Sequence, residues 1–229
     1  SDGRICGIVT RHTARNRLPL FCWRPAPVQA TWLGYFATTG VAEIDYLLAD
    51  AATVPVDGSE RFSETVWRLP RTRLCFTPPA RAPEVTPLPA LTRGHVTFGS
   101  FQALAKVSDA VLALWGRVLA AVPDARLRLQ SPQLGDEPTR EALRQRMRAQ
   151  GLPPERVDLH GRSSRAAYLQ AHAEVDLLLD TFPFPGGTTT CEALWMGVPT
   201  LTLRGDRLIA RQGSGLLLAA GLPDWIADD

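Results

Sequence analysis

An α/β architecture built on parallel sheets is predicted by three features of this 229-residue sequence. From Val96 onward, short apolar strand-like runs alternate with amphipathic helix-like stretches. Units of that kind wind into a parallel sheet with helices on both faces. Val175 to Leu179 is predominantly apolar, as a strand buried on both faces requires. Between the two halves, Pro78, Pro79, Pro83, Pro87 and Pro89 cluster within Thr77 to Leu91, a stretch without periodicity that reads as a linker. The expected division is 1–80, a linker over 81–95, and 96–229.

The elements follow in order. Val28 to Trp32, Tyr46 to Leu48 and Thr65 to Leu69 are strand-like, separated by loops at Pro25-Ala26-Pro27 and Gly34 to Gly40. Val96 to Phe98 opens the second half as a strand. Ser108-Asp109 can cap a helix running to about Ala121, with Val111, Leu112, Trp115, Val118 and Leu119 on one face. A strand at Arg126 to Gln130 and a charged helix at Thr139 to Gln150 come next, the latter stopped by Gly151. Val157 to Leu159 is a strand and Arg165 to Ala173 a helix. After Val175 to Leu179 comes a turn with Pro183, Pro185, Gly186 and Gly187, then a helix from about Thr189 to Met196. Pro199 to Leu203 is a strand and Ile209 to Ala220 the last helix. No internal repeat is present.

Composition narrows the function classes. The chain is 45% hydrophobic and 21% charged, with a mean hydropathy of -0.05, which suits a globular protein and not a disordered one. No apolar run approaches the roughly 18 residues of a membrane span, and Ser-Asp-Gly-Arg at the start is no signal peptide. The net charge is +2, with 23 acids interspersed among the basic residues; no basic stripe suggests nucleic acid. Cysteines at 6, 22, 75 and 191 lack CxxC spacing, and histidines at 12, 95, 160 and 172 lack HxxxH spacing. No zinc site is expected, and the cysteines read as reduced thiols of a cytoplasmic protein. Of 25 Lys plus Arg, one is a lysine, Lys106.

Chemistry is expected at Asp180-Thr-Phe-Pro-Phe-Pro-Gly-Gly-Thr-Thr-Thr-Cys-Glu192, which follows a buried strand and opens a helix. That places it at the carboxyl edge of the sheet, where ligands bind. Gly186 and Gly187 allow close backbone approach, and Thr188, Thr189 and Thr190 begin a helix whose N-terminus suits an anion. An ordinary turn with threonine caps accounts for the spacing equally well. No Gly-Lys-Ser/Thr follows, so this is not a Walker A loop. Lys106, in Phe98-Gly-Ser-Phe-Gln-Ala-Leu-Ala-Lys106, falls on the same edge and can meet a phosphate there; a lone lysine is more often a solvated charge.

These segments together resemble glycosyltransferase family 41, the O-linked N-acetylglucosamine transferases. The residues that carry the resemblance are Arg24-Pro-Ala-Pro-Val-Gln-Ala-Thr-Trp-Leu-Gly-Tyr35, Thr38-Thr-Gly40, Asp45-Tyr46, Val96 to Phe101 with Lys106, Leu114-Trp115, Val122-Pro-Asp124, Asp176 to Asp180, and Gly186 to Trp195 with Gly205 and Arg211. The resemblance implies a GT-B-like fold: a Rossmann-like C-terminal parallel-sheet domain that binds the donor, plus part of a second Rossmann-like domain. It implies a UDP-sugar donor, a protein acceptor and no cofactor or metal. Residue by residue, Lys106 matches the catalytic lysine on the diphosphate, and Gly187, Thr188 and Thr189 the helix-terminal diphosphate segment. Glu192 matches the ribose-binding acid, Tyr168 a platform for uracil, and Ser163, Ser164 and Arg165 the backbone that reads the uracil edge. Leu33 and Gly34 border the sugar.

The implied activity is inverting, metal-independent transfer of a sugar, N-acetylglucosamine or a hexose, to protein Ser or Thr. A UDP-sugar-binding module without turnover is the alternative, and another UDP-sugar enzyme such as an epimerase is a third reading. The sequence departs from the family pattern at Phe36-Ala37 (Pro-Gly elsewhere), at Arg11 before His12 (glycine), at Ala103 (polar in many members) and at Gly187 (histidine in some). Ser1 to Arg15 fits poorly. The resemblance further implies that tetratricopeptide repeats and the base-bearing half of the N-terminal domain lie upstream in the parent protein. Closing helices would lie downstream of Trp225.

Overall fold

Two all-parallel sheets organise the computed structural model, which describes residues 5–9 as backbone and residues 17–228 in full. The first contains β1 (Ile5–Val9), β2 (Val28–Trp32), β3 (Tyr46–Asp50) and β4 (Thr65–Leu69), in that spatial order. The second contains β5 (Thr97–Ser100), β6 (Arg126–Gln130), β7 (Val157–His160), β8 (Leu177–Leu179), β9 (Thr200–Leu203) and β10 (Ile226–Ala227), in the order β10-β9-β8-β5-β6-β7. Helices α2 (Asp109–Ala121), α3 (Glu137–Ala149), α4 (Arg165–Gln170), α5 (Thr188–Trp195) and α6 (Gln212–Ala219) connect the second set. A single-turn helix, α1 (Ala90–Arg93), precedes β5 and lies inside the stretch expected to be linker.

Local chemistry explains the boundaries. Ser108 caps α2 by accepting the Val111 amide, and Asp136 caps α3 by accepting the Thr139 amide, so α3 starts two residues before the expected Thr139. α4 ends at Gln170 and gives way to a 3-10 turn over 171–174. β8 is shorter than the Val175 to Leu179 run because Asp176 leaves the apolar pattern. Its carboxylate accepts the amides of Ala90 and Thr97, each at 2.8 Å, and so ties the end of the Pro-rich segment to the sheet. α6 begins at Gln212, not Ile209, because the Gly205–Leu208 segment turns to reach the first sheet. The sequence reading assigned no strand to β1, whose Gly7 weakens the strand signal, nor to the two-residue β10. Arg11 and His12 fall outside the described residues.

The second sheet is covered on both faces. Phe98, Leu127, Leu129 and Leu179 pack against Val111, Leu112, Trp115 and Leu119 of α2 and Leu143 and Met147 of α3. On the other face, Leu178 packs with Phe101, Ala171, Val175, Ala193 and Val198. Gly99 is required here: a Cβ would lie 2.7 Å from Val175 Cγ1 and 2.8 Å from Leu178 Cδ2.

The carboxyl ends of the two sheets face each other. Phe36, after β2, meets Phe184, after β8, edge to face at 5.3 Å. Leu208, after β9, packs on Leu47 and Ala49 of β3 and on Val54, and its amide donates to Glu60 at 2.6 Å. Glu64 pins the Thr38–Gly40 loop, accepting the Thr39 amide at 2.7 Å, the Thr39 hydroxyl, and the Thr38 hydroxyl at 2.8 Å.

Trp115 is buried among α2, α3 and the sheet, so Trp115→Ala is expected to lower unfolding free energy by about 3–5 kcal/mol in urea titration. Burial alone would raise the Glu64 pKa, but the hydrogen bonds from Thr39 and Thr38 outweigh it and the net shift is down. Stability linked to Glu64 is therefore present above its unfolded pKa and lost as pH falls through the lower folded value. Glu64→Gln should flatten the acid side of a plot of melting temperature against pH.

Candidate functional site

The order β10-β9-β8-β5-β6-β7 reverses direction between β8 and β5. Outside the carboxyl ends of two such strands the connecting chains part in opposite directions and leave a crevice, where α/β sheets bind ligands. Both loops flanking this crevice carry polar residues: Gln102 and Lys106 after β5, and Asp180 to Thr190 after β8.

Asp180 is the hub. Only 7% exposed, its carboxylate accepts the Thr181 amide at 2.9 Å, the Gly186 amide at 2.8 Å, the Thr202 hydroxyl at 2.9 Å and the Gln102 side-chain amide at 3.3 Å. Burial pushes its pKa up, and the Gly186 and Thr202 hydrogen bonds and the Lys106 charge oppose that. Gln102 relays the order outward: its Nε2 also donates to Thr189 Oγ1 at 2.8 Å, and its Oε1 accepts from Lys106 Nζ at 3.3 Å. Lys106 Nζ donates in addition to the Pro185 carbonyl at 2.9 Å and sits 3.8 Å from the Phe184 ring centroid. An ammonium has three donors; two have hydrogen-bond partners among the described residues. Burial lowers the Lys106 pKa while the Asp180 charge opposes the drop.

Gly187 occupies the N-cap of α5 without any side-chain cap, and the first intrahelical bond runs from the Cys191 amide to the Gly187 carbonyl at 3.0 Å. The amides of Thr188, Thr189 and Thr190 therefore lie in the unpaired first turn, where the helix dipole favours negative charge. A Cβ on Gly187 would lie 2.6 Å from Gln212 Nε2, and one on Gly186 would collide with Gln102, Thr189 and Thr190. Gly186 is thus crowded from three sides, whereas a side chain at Gly187 would have only the flexible end of Gln212 to displace.

One turn along α5, Glu192 is 5% exposed. It accepts the Tyr168 hydroxyl at 2.9 Å on one oxygen and pairs with Arg165 at 2.7 Å on the other. Burial, with the Glu192 charge, drives the Tyr168 pKa far above its ordinary value, so the phenol stays a donor. Its ring stands edge-on to Phe101 at 5.4 Å and to His172 at 5.3 Å, with the Arg165 guanidinium over it at 5.4 Å.

The sequence pattern of Glycosyl transferase family 41 matches residues 8–76 and 88–229. The chain belongs to glycosyltransferase family 41. It is 43% identical over 226 residues to a Petunia hybrida protein named probable UDP-N-acetylglucosamine--peptide N-acetylglucosaminyltransferase SPINDLY, covering 96% of this chain and 24% of the relative. A probable transferase of the same description from Arabidopsis thaliana, SEC, is 28% identical over 92% of this chain and 22% of its own length. The chain thus spans about a quarter of these relatives. Among solved structures, a point mutant of the Thermobaculum terrenum O-GlcNAc transferase superposes with a TM-score of 0.92 at 38% identity, over 98% of this chain and 42% of the other. The α/β, GT-B-like fold of the family is therefore the fold of this chain.

Of the residues that the sequence reading singled out, Lys106 and Thr189 both bond to Gln102, Gly187 and Thr188 begin the same helix as Thr189, and Glu192 is bonded to both Arg165 and Tyr168. α5 joins the two groups. Ser163 accepts from Gln130 at 2.9 Å, and Ser164 caps α4. Leu33 and Gly34 lie in the turn after β2, with φ of 37° and 118°, a conformation rare for leucine; Phe36, two residues beyond Gly34, reaches Phe184. The sequence reading did not single out Gln102, Thr202, Gln212 or Phe184. Asp180 was visible as the acid closing an apolar run, though not as the hub. Cys191 lies within this segment, but burial and then the Glu192 charge push its thiol up to about 11, which makes it a poor nucleophile. Among the described residues no group of three or more His, Cys, Asp or Glu is placed to hold a metal ion.

Gly186→Ala is expected to destabilise the chain by about 1–3 kcal/mol through overpacking. Gly135→Ala, where a Cβ meets nothing within 4 Å, serves as the silent control in the same thermal unfolding series.

Proposed function

We propose that this chain is the donor-binding part of an inverting glycosyltransferase that moves N-acetylglucosamine from UDP to a protein Ser or Thr hydroxyl. The observation that carries the reading is the convergence of the Lys106 ammonium, the Gly186–Gly187 backbone and the first turn of α5 at one crevice. A diphosphate seated there meets a point charge and a row of amides. In transfer, the acceptor oxygen bonds to the anomeric carbon as the bond from that carbon to the β-phosphate oxygen breaks. The electron pair leaves with UDP, and the acceptor proton passes to a base. Lys106 and the α5 amides face the charge that grows on the leaving diphosphate, which is where stabilisation lowers the barrier. No divalent cation is needed in this reading.

In the same proposal, Glu192 binds the ribose hydroxyls with the lone pairs that Tyr168 and Arg165 leave open, Tyr168 and Arg165 form the uracil platform, and Ser163, Ser164 and Arg165 offer backbone to its edge. Leu33 and Gly34 border the sugar from the facing sheet. The relatives' names support a UDP-N-acetylglucosamine donor and a peptide acceptor. A parent protein with tetratricopeptide repeats and a cytoplasmic setting belong to the same reading; Cys22, Cys75 and Cys191 are free thiols, and no helix among the described residues is long and apolar enough to cross a membrane.

A second reading, nucleotide binding without turnover, is favoured by the histidines. His95 and His160 line a polar cavity of about 370 Å³ with Arg93, Arg126, Arg128 and Asp158, away from the donor crevice. His172 is buried with its ring stacked on Phe101 at 4.2 Å. Among the described residues, none of these histidines bonds to Lys106 or Gln102. Transfer of radiolabelled sugar to a peptide by the purified chain separates the readings, since sustained transfer defeats the binding-only one.

Lys106→Ala should weaken UDP binding about 10-fold or more, as loss of a charge-assisted hydrogen bond does, and a chelator should leave the affinity unchanged. Titration calorimetry checks both; an unaltered affinity in Lys106→Ala sinks the site assignment.

A further inference from the structure

We propose that Phe36 and Phe184 are positioning residues for the donor site: two rings, one from each sheet, that hold the Lys106 ammonium where the diphosphate docks. The proposal rests on the reading of Lys106 as the diphosphate-binding lysine. The Lys106 ammonium lies 3.8 Å from the Phe184 centroid, where the negative face of a ring attracts a cation. Phe184 meets Phe36 at 5.3 Å with an interplanar angle of 66°, the edge-to-face arrangement that aromatic pairs favour. The far end of the pair is also loaded by a charge. The Arg73 guanidinium lies 5.0 Å from the Phe36 centroid.

Arg73 is 1% exposed, and none of its three guanidinium nitrogens has a hydrogen-bond partner among the described residues. Burial lowers its pKa, with the Asp50 carboxylate opposing; that carboxylate bonds the Arg73 main-chain amide at 2.7 Å. A buried cation without hydrogen bonds is costly, so turning the Phe36 ring away would remove a contact the guanidinium does not replace. Phe36 is thereby held from behind, Phe184 is held by Phe36, and the ammonium rests on Phe184. The first sheet so acts on the diphosphate subsite without touching the nucleotide. Phe36 is also a position where this sequence departs from the family pattern, and the bridge gives that departure a use.

The test is a set of calorimetric titrations of the full chain with UDP and with uridine, which lacks the diphosphate. Phe184→Leu and Phe36→Leu are each expected to weaken UDP about 5-fold and to leave uridine unchanged, while Phe184→Tyr restores the UDP value. In a Lys106→Met background, Phe36→Leu should have no further effect. Equal weakening of UDP and uridine, or a Phe36→Leu effect that persists without the ammonium, would show a merely structural role and overturn the proposal. If Lys106→Met alone leaves UDP affinity unaltered, the diphosphate assignment itself fails, a result distinct from either. Should Phe36→Leu not fold, Phe184→Leu, which leaves Arg73 over the Phe36 ring, carries the same comparison.

Discussion

The carboxyl edge of the second sheet is organised around one buried carboxylate. Asp180 ends a core strand and collects donors from its own turn, from the Thr202 hydroxyl of β9 and from Gln102 after β5. A buried acid stripped of those donors would be strongly disfavoured, so the three segments have little freedom to drift apart. The consequences spread from there. The Gly186 amide is drawn in, which sets the approach to α5. Gln102 is fixed, which places Thr189 on one side and Lys106 on the other. The ammonium and the open first turn of α5 thus inherit their relative position from a residue that need not touch a ligand.

The same economy of placement explains the relation between the two sheets. Their carboxyl ends face each other through Leu208 on the β3 core and Phe36 on Phe184. Contacts of this kind join the halves across the crevice without filling the first turn of α5. The polar cavity beside β6 and β7 differs in kind. There Arg126 pairs with Asp158 and Arg128 with Glu174, both within 2.8 Å, so most of its charge is already neutralised, whereas the ammonium in the crevice between β5 and β8 has no carboxylate within ion-pair distance among the described residues.

Much of this was legible in the sequence, for identifiable reasons. β5, β6, α2 and α5 follow from apolar spacing and caps, and Gly186-Gly187-Thr188-Thr189 after a strand reads either as an anion site or as an ordinary capped turn. Lys106, the one lysine, stands out because its chemistry has no substitute among the arginines. What escaped depends on tertiary contact. The partners of Asp180 lie 78 residues upstream at Gln102 and 22 downstream at Thr202, and no local pattern connects them. Phe36 reads as an irregularity until Phe184 is seen beside it. β8 is shorter than the Val175 to Leu179 pattern suggests because the Asp176 carboxylate secures Ala90 and Thr97.

A crystal structure of the chain with UDP bound tests the account most directly. The account requires the diphosphate oxygens to accept from Lys106 Nζ and from the first-turn amides of α5, with the uridine lying toward Tyr168 and Glu192. UDP seated elsewhere, for example in the arginine-lined cavity beside β6 and β7, or bound with Lys106 still turned wholly to Pro185 and Gln102, would contradict it.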